Sequence, residues 1–131
     1  MIWYDNYNIG IEQVDKQHQK LAKTIRKLQK SLVNGRFSPE TGETLKFLVE
    51  YTKEHFGTEE ALMEKVGYEE LEAHKKLHHK LVQQVVDILL GLKKGKKIDA
   101  YELIDFLTDW LINHIVQEDK KIGKFIERQA S

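Results

Sequence analysis

HFGTEEALMEKVGYEELEAHKKLH, residues 55–78, holds two spaced pairs of metal-capable side chains, His55 with Glu59 and His74 with His78. On an α-helix, residues four apart stand about 40° apart around the axis and one turn apart along it, so each pair can aim both side chains at one point. Gly67 lies between the pairs, followed by Tyr68 and two glutamates. A glycine there suits a helix C-cap. The stretch therefore predicts a helix that stops, turns and restarts, folding the second pair back against the first.

Upstream, Val14, His18, Leu21, Ile25, Leu28 and Leu32 recur at alternating intervals of four and three, which predicts an amphipathic helix over 12–34 ending near Asn34 and Gly35. Ser38 and Pro39 suit the N-cap and first turn of a second helix, 39–66. Its inward stripe includes Leu45, Leu48, Thr52, His55, Phe56, Glu59 and Met63. A third helix, 70–92, carries His74, Leu77, His78, Leu81, Val85, Ile88 and Leu89 on one side, and the GLKKGKK stretch after it reads as a solvated loop. Asp99 with Glu102 resembles a capping box and opens a fourth helix, 100–117, with Leu103, Leu107, Trp110, Leu111, His114 and Ile115 inward. A short helical tail follows over 119–127. The first ten residues form an irregular arm, with Trp3 and Tyr4 expected to pack on the domain. No strand-like alternation or internal repeat is present. The expected fold is all-α: one domain over 1–131, an antiparallel up-down four-helix bundle.

The 21 basic and 21 acidic residues cancel, so nothing in the charge balance favours nucleic acid or an anionic membrane. With no cysteine, thiolate ligands, iron–sulfur clusters, disulfides and cysteine nucleophiles are all excluded. Any metal must be held by nitrogen and oxygen. The N-terminus lacks the basic start and apolar run of a secretion signal, and no later segment approaches a membrane span. The expectation is a soluble cytoplasmic chain without membrane insertion. Its Lys- and Glu-rich surface stripes point to a monomer.

Five of the six histidines fall on inward faces: His18, His55, His74, His78 and His114. One buried imidazole is ordinarily a hydrogen-bonded core residue. Five, with acidic Glu59, are costly to bury unless something satisfies them jointly, and a metal site does so. His79 lies off the His78 face and reads as a surface residue. The donors are too many for one tetrahedral zinc, so two ions are implied. Five terminal imidazoles, two bridging carboxylates and an oxo or hydroxo bridge fill all but one position of two six-coordinate ions. That donor set suits iron or manganese, and the open position invites a diatomic ligand. The second bridging carboxylate is Glu118 or Asp119. A regular helix favours Glu118, whereas Asp119 requires a bulge, and the spacing leaves the choice open.

The ordered set His18, His55-FGT-Glu59, His74-KKL-His78 and His114-IVQE-Asp119 resembles the signature of the hemerythrin family. The resemblance runs through nearly the whole chain, aromatic arm included, and looks like the family's bacterial single-domain branch. It implies two irons per chain, one held by His74, His78 and His114 and the other by His18 and His55. Glu59, Asp119 and an oxo or hydroxo group bridge them, so the resemblance favours Asp119 over Glu118. It further implies reversible dioxygen binding at the open position beside His18 and His55, in an apolar oxygen pocket of Leu21, Phe56, Trp110, Leu111 and Ile115.

Five neutral imidazoles and only two carboxylates leave such a site less electron-rich than carboxylate-dense di-iron oxygenases, which favours binding over O–O cleavage. The expected role is oxygen storage or delivery to an oxygen-consuming enzyme, with no catalytic residues. The carrier reading is favoured because no methyl-accepting, kinase or cyclase segment is seen attached. An oxygen or redox sensor acting through a partner, and a di-iron peroxidase or nitric-oxide-handling enzyme, remain the alternatives.

Overall fold

The computed structural model describes residues 5–130, so the expected packing of Trp3 and Tyr4 lies outside the described residues. The chain is an all-α, antiparallel up-down four-helix bundle. Its helices are α1 (Glu12–Lys30), α2 (Pro39–Val66), α3 (Leu71–Lys93), α4 (Ala100–Asn113) and α5 (Lys120–Ala130). A π-helical segment, His114–Asp119, joins α4 to α5, so these three together make the fourth rod. A 3₁₀ turn, Asp5–Tyr7, precedes α1. Helix α1 packs against α2 and α4, and α2 against α3.

Helix α1 is shorter than its apolar period predicts, stopping at Lys30 instead of near Asn34. Two local interactions end it. The Ser31 hydroxyl bonds back to the Leu28 carbonyl and contacts Thr41 Oγ1 at 2.8 Å, tying the helix end to α2. Beyond it, Asn34 (φ 53°) and Gly35 (φ 73°) both take the left-handed conformation, while Val33 and Arg36 exchange backbone hydrogen bonds of 2.9 and 3.0 Å. Asn-Gly is the dipeptide that best tolerates this two-residue hairpin turn, so Leu32 and Val33 leave the helix. Helix α2 opens on Ser38, whose hydroxyl accepts from Thr41 N–H while the Thr41 hydroxyl accepts from Ser38 N–H, a reciprocal cap built with threonine. It closes at Gly67 (φ 71°), where Tyr68 N–H returns to the Met63 carbonyl at 2.9 Å. Helix α4 is capped by Asp99, whose Oδ1 accepts from the Tyr101 and Glu102 amides. On α3 only His74, His78 and Val85 are fully buried, and the rest of its apolar stripe is half-covered.

The main core joins Leu21, Ile25 and Leu28 of α1 to Leu45, Leu48, Leu107 and Ile115. A smaller cluster of Met63, Tyr68 and Ile122, flanked by Leu71 and Phe125, closes the end of the bundle where α5 lies. The N-terminal arm is fastened at that end. Ile9 and Gly10 donate their amides to the buried Asp15 carboxylate at 2.7 and 3.2 Å. On its other side the arm meets Gly123 of α5, where a Cβ would stand 2.1 Å from the Ile9 carbonyl oxygen. Among the described residues, no helix is long and apolar enough to cross a membrane. Gly123→Ala should expel the arm from α5 and lower stability by about 1–3 kcal/mol, the usual penalty of overpacking. Guanidinium unfolding checks this, and an unchanged midpoint would show that the arm does not press on Gly123.

Candidate metal centre

The seven side chains singled out in the sequence converge in the bundle interior, all of them buried. They form two groups whose ligating atoms lie within 4.8 Å of one another: His74, His78, His114 and Asp119, and His18, His55, Glu59 and Asp119. Asp119 belongs to both. Its Oδ1 lies 3.0 Å from His74 Nε2 and 3.0 Å from His114 Nε2, while its Oδ2 lies 2.9 Å from His18 Nε2. Glu59 Oε1 stands 2.7 Å from His55 Nε2, 3.9 Å from His18 Nε2 and 3.8 Å from His78 Nε2, so it too reaches both groups.

Local helix geometry decides which acid enters. The regular i,i+4 spacing of α2 and α3 places His55 beside Glu59 and His74 beside His78. After His114 the wider turn of the π segment carries Asp119, five residues on, to the inner face. Glu118 lies outward, 3.5 Å from Lys121 Nζ. His79 is exposed.

Two residues outside the sequence-based set fix the imidazoles. Gln17 Oε1 lies 2.7 Å from His55 Nδ1, and Glu60 Oε2 lies 2.9 Å from His78 Nδ1. An amide or carboxylate oxygen only accepts, so each Nδ1 carries the proton and each Nε2 presents a lone pair inward. The Gln17 orientation is itself set by its amide nitrogen, which donates to Thr58 Oγ1 at 3.4 Å, while the Thr58 hydroxyl donates to the Glu54 carbonyl. Neither residue lies on an inward stripe. The available signal is their position one residue from His18 and Glu59, with side chains long enough to curl back.

A cation fits this arrangement. His55 Nε2 and both Glu59 oxygens are buried without a hydrogen-bond partner, and both Asp119 oxygens are enclosed by imidazole nitrogens. His55 Nε2 and Glu59 Oε1 approach to 2.7 Å, a nitrogen and a carboxylate oxygen that one cation can satisfy together. With nitrogen and carboxylate oxygen alone, the donor set suits iron or manganese. Leu21, Phe56, Trp110, Leu111 and Ile115 line a narrow, largely apolar space against His18, His55, His114 and Asp119. Phe56 also stacks on His78, with ring centroids 3.7 Å apart and planes within 2°.

Fold and donor set together define a metal-binding four-helix bundle built around buried histidines. Residues 9–126 match the family model described as the hemerythrin HHE cation binding domain, and the chain belongs to the hemerythrin family. It is 34% identical to the bacteriohemerythrin of Stenotrophomonas maltophilia (strain R551-3), over 92% of this chain and 77% of that protein. It is likewise 34% identical to the myohemerythrin of Theromyzon tessulatum, over 91% of this chain and 88% of that one. A crystal structure of wild-type hemerythrin superposes with a TM-score of 0.84 at 30% identity, covering 95% of each chain.

Protons take over part of the charge balance in the metal-free chain. Burial works against a charge on His18, but the Asp119 and Glu59 carboxylates outweigh it and raise its pKa to about 9. His114 is raised in the same way, burial being outweighed chiefly by Asp119. Burial, reinforced by His114 and His74, pushes His78 down to about 2 and keeps it neutral. Burial also opposes the Asp119 charge, yet His114, His18 and His74 hold its carboxyl well below the usual range. At pH 7 His18 is therefore protonated, and a metal can take its Nε2 only by expelling that proton. Proton release on binding Zn²⁺ should fall by about one per chain as pH rises through 9, and apparent affinity should weaken towards acid pH. Calorimetric titration in buffers of different ionisation enthalpy measures the release; a pH-independent value would mean that His18 is not held protonated.

Proposed function

We propose that this chain binds dioxygen reversibly at a di-iron centre and serves as an oxygen store or carrier. The observation that carries this reading is the split of the Asp119 carboxylate, one oxygen turned to His74 and His114 and the other to His18. A carboxylate so placed serves two ions at once. In this reading His74, His78 and His114 would hold one iron and His18 and His55 the other, with Glu59 and Asp119 shared between them. Iron held there would supply the electrons that reversible dioxygen binding requires.

The protein's own residues serve the reversibility. Gln17 and Glu60 keep protons at the Nδ1 atoms of His55 and His78, which holds each Nε2 free for metal. Leu21, Phe56, Trp110, Leu111 and Ile115 make the oxygen pocket, keeping water away from the His18 and His55 side. The pocket offers no acidic side chain apart from Asp119, which is committed as a ligand. Bound oxygen thus meets no spare proton donor to drive its reduction onward. This chemistry favours binding over turnover, with an oxygen-consuming enzyme as the recipient.

The test is to reduce the protein without air, count its iron, and record visible spectra through oxygenation and deoxygenation. Two irons per chain and a charge-transfer band that appears and disappears reversibly are expected. Irreversible oxidation or continuing oxygen consumption would overturn the carrier role. Glu59→Ala should lose at least one iron, as should Asp119→Ala, whereas Glu118→Ala should keep both; intact iron in Asp119→Ala would remove that residue from the bridge.

A further inference from the structure

We infer that the chain makes the two iron positions electronically unequal through the partners it gives their histidines, and that the position served by His78 is the one that becomes ferric first. This rests on the di-iron reading above. Both His55 and His78 present Nε2 inward and donate Nδ1–H outward, so their ring orientations are equivalent. Their acceptors are not. His55 meets the neutral amide of Gln17 at 2.7 Å, and His78 meets the carboxylate of Glu60 at 2.9 Å.

A carboxylate accepting the outer N–H of a ligating imidazole draws its proton outward and makes the inner nitrogen a stronger donor. A stronger donor stabilises the higher charge on the metal, so it favours ferric over ferrous iron. An amide does this far less. The neutral partner is also the more tightly determined of the two. Gln17 donates its amide nitrogen to Thr58, which donates to the Glu54 carbonyl, and this orients the Gln17 oxygen toward His55. Glu60 is about one-third exposed, its residue lining the outer groove between α2 and α3 with Lys53, Lys75 and His79. Burial raises the Glu60 pKa, with the Lys75 ammonium working against that rise. Removing one electron from a ferrous pair with a one-electron oxidant such as ferricyanide would thus leave the ferric charge beside His74, His78 and His114. The iron beside His18 and His55, which faces the apolar pocket, would stay ferrous.

Gln17 and Glu60 are positioning residues in this account, and their exchange separates charge from shape. Glu60→Gln keeps an oxygen for His78 Nδ1–H but removes the charge; Gln17→Glu adds a charge at His55. In a ferricyanide titration of the two-iron protein, Glu60→Gln should raise the first midpoint by on the order of tenfold in ferric preference, about 59 mV for a one-electron couple. Gln17→Glu should lower a midpoint and move the ferric site in Mössbauer spectra to the His18 and His55 side. Two irons retained with midpoints and spectra unchanged in both variants would overturn the inference alone. A wild-type chain that does not hold two irons would overturn the di-iron reading and the inference with it. If Glu60→Gln loses iron, the zinc-loaded wild type decides: ¹⁵N spectra showing the His78 proton on Nδ1, in slow exchange, support the assignment, and a proton on Nε2 refutes it.

Discussion

A buried carboxylate is among the least favourable objects a protein interior can hold unless its charge is answered, and Asp119 is one, both its oxygens enclosed among imidazoles. Most of the architecture bears on it. Helices α1 and α3 bring His18 and His74 nitrogens to about 3 Å from its two oxygens, and the fourth rod, which supplies His114 as well, departs from α-helical geometry to deliver it. Without a cation, His18 and His114 relieve the charge by holding protons more firmly than free imidazole does. With one, the same lone pairs become ligands. The centre is therefore preorganised at a cost to the metal-free fold, a cost that metal binding recovers as folding free energy.

The bundle around it supplies two kinds of support. Apolar packing of α1, α2 and α4 excludes water from one side, where Phe56 and Trp110 stand between the histidines and the core. Polar support comes from outside the bundle axis, where Gln17, Thr58 and Glu60 sit on the flanks of the ligand-bearing faces. Phe56 joins the two, since its ring lies flat on His78 while its helix neighbour His55 turns to Gln17. Ring orientation at His78 is thus constrained by an aromatic face and a carboxylate together.

Much of this was legible from residue spacing because two ligand pairs obey the regular period of a helix. His55 with Glu59 and His74 with His78 can be placed on one face by counting. His114 with Asp119 cannot, since a five-residue step fits only a π turn, and resemblance to a family had to select Asp119 over Glu118. Helix α1 ends before its apolar period does, because Leu32 continues that period while the Asn34-Gly35 turn and the Ser31 hydroxyl override it. Gln17 and Glu60 were invisible to pattern reading, which sorts residues by face and treats polar side chains off the inward stripe as solvated. The contact of the arm with Gly123 was equally hidden, because it is made by a backbone carbonyl that any residue would carry.

The π turn has a second effect, on reading frame. Along α4 the buried positions run Leu103, Leu107, Leu111 and Ile115, and an uninterrupted α-helix would continue them through Glu118 and Phe125. The extra residue taken up between His114 and Asp119 advances the phase by one, so that Asp119, Ile122 and Gly123 are buried while Glu118 and Lys121 face out. Deleting one residue there would restore an ordinary helix with the carboxylate four residues from His114 and leave Asp119, Ile122 and Gly123 inward. Straightening the segment at full length would instead turn Asp119 outward and shift the α5 stripe away from Met63 and Tyr68. The two halves of the fourth rod are written in different frames, and the metal ligand is the point at which they are spliced.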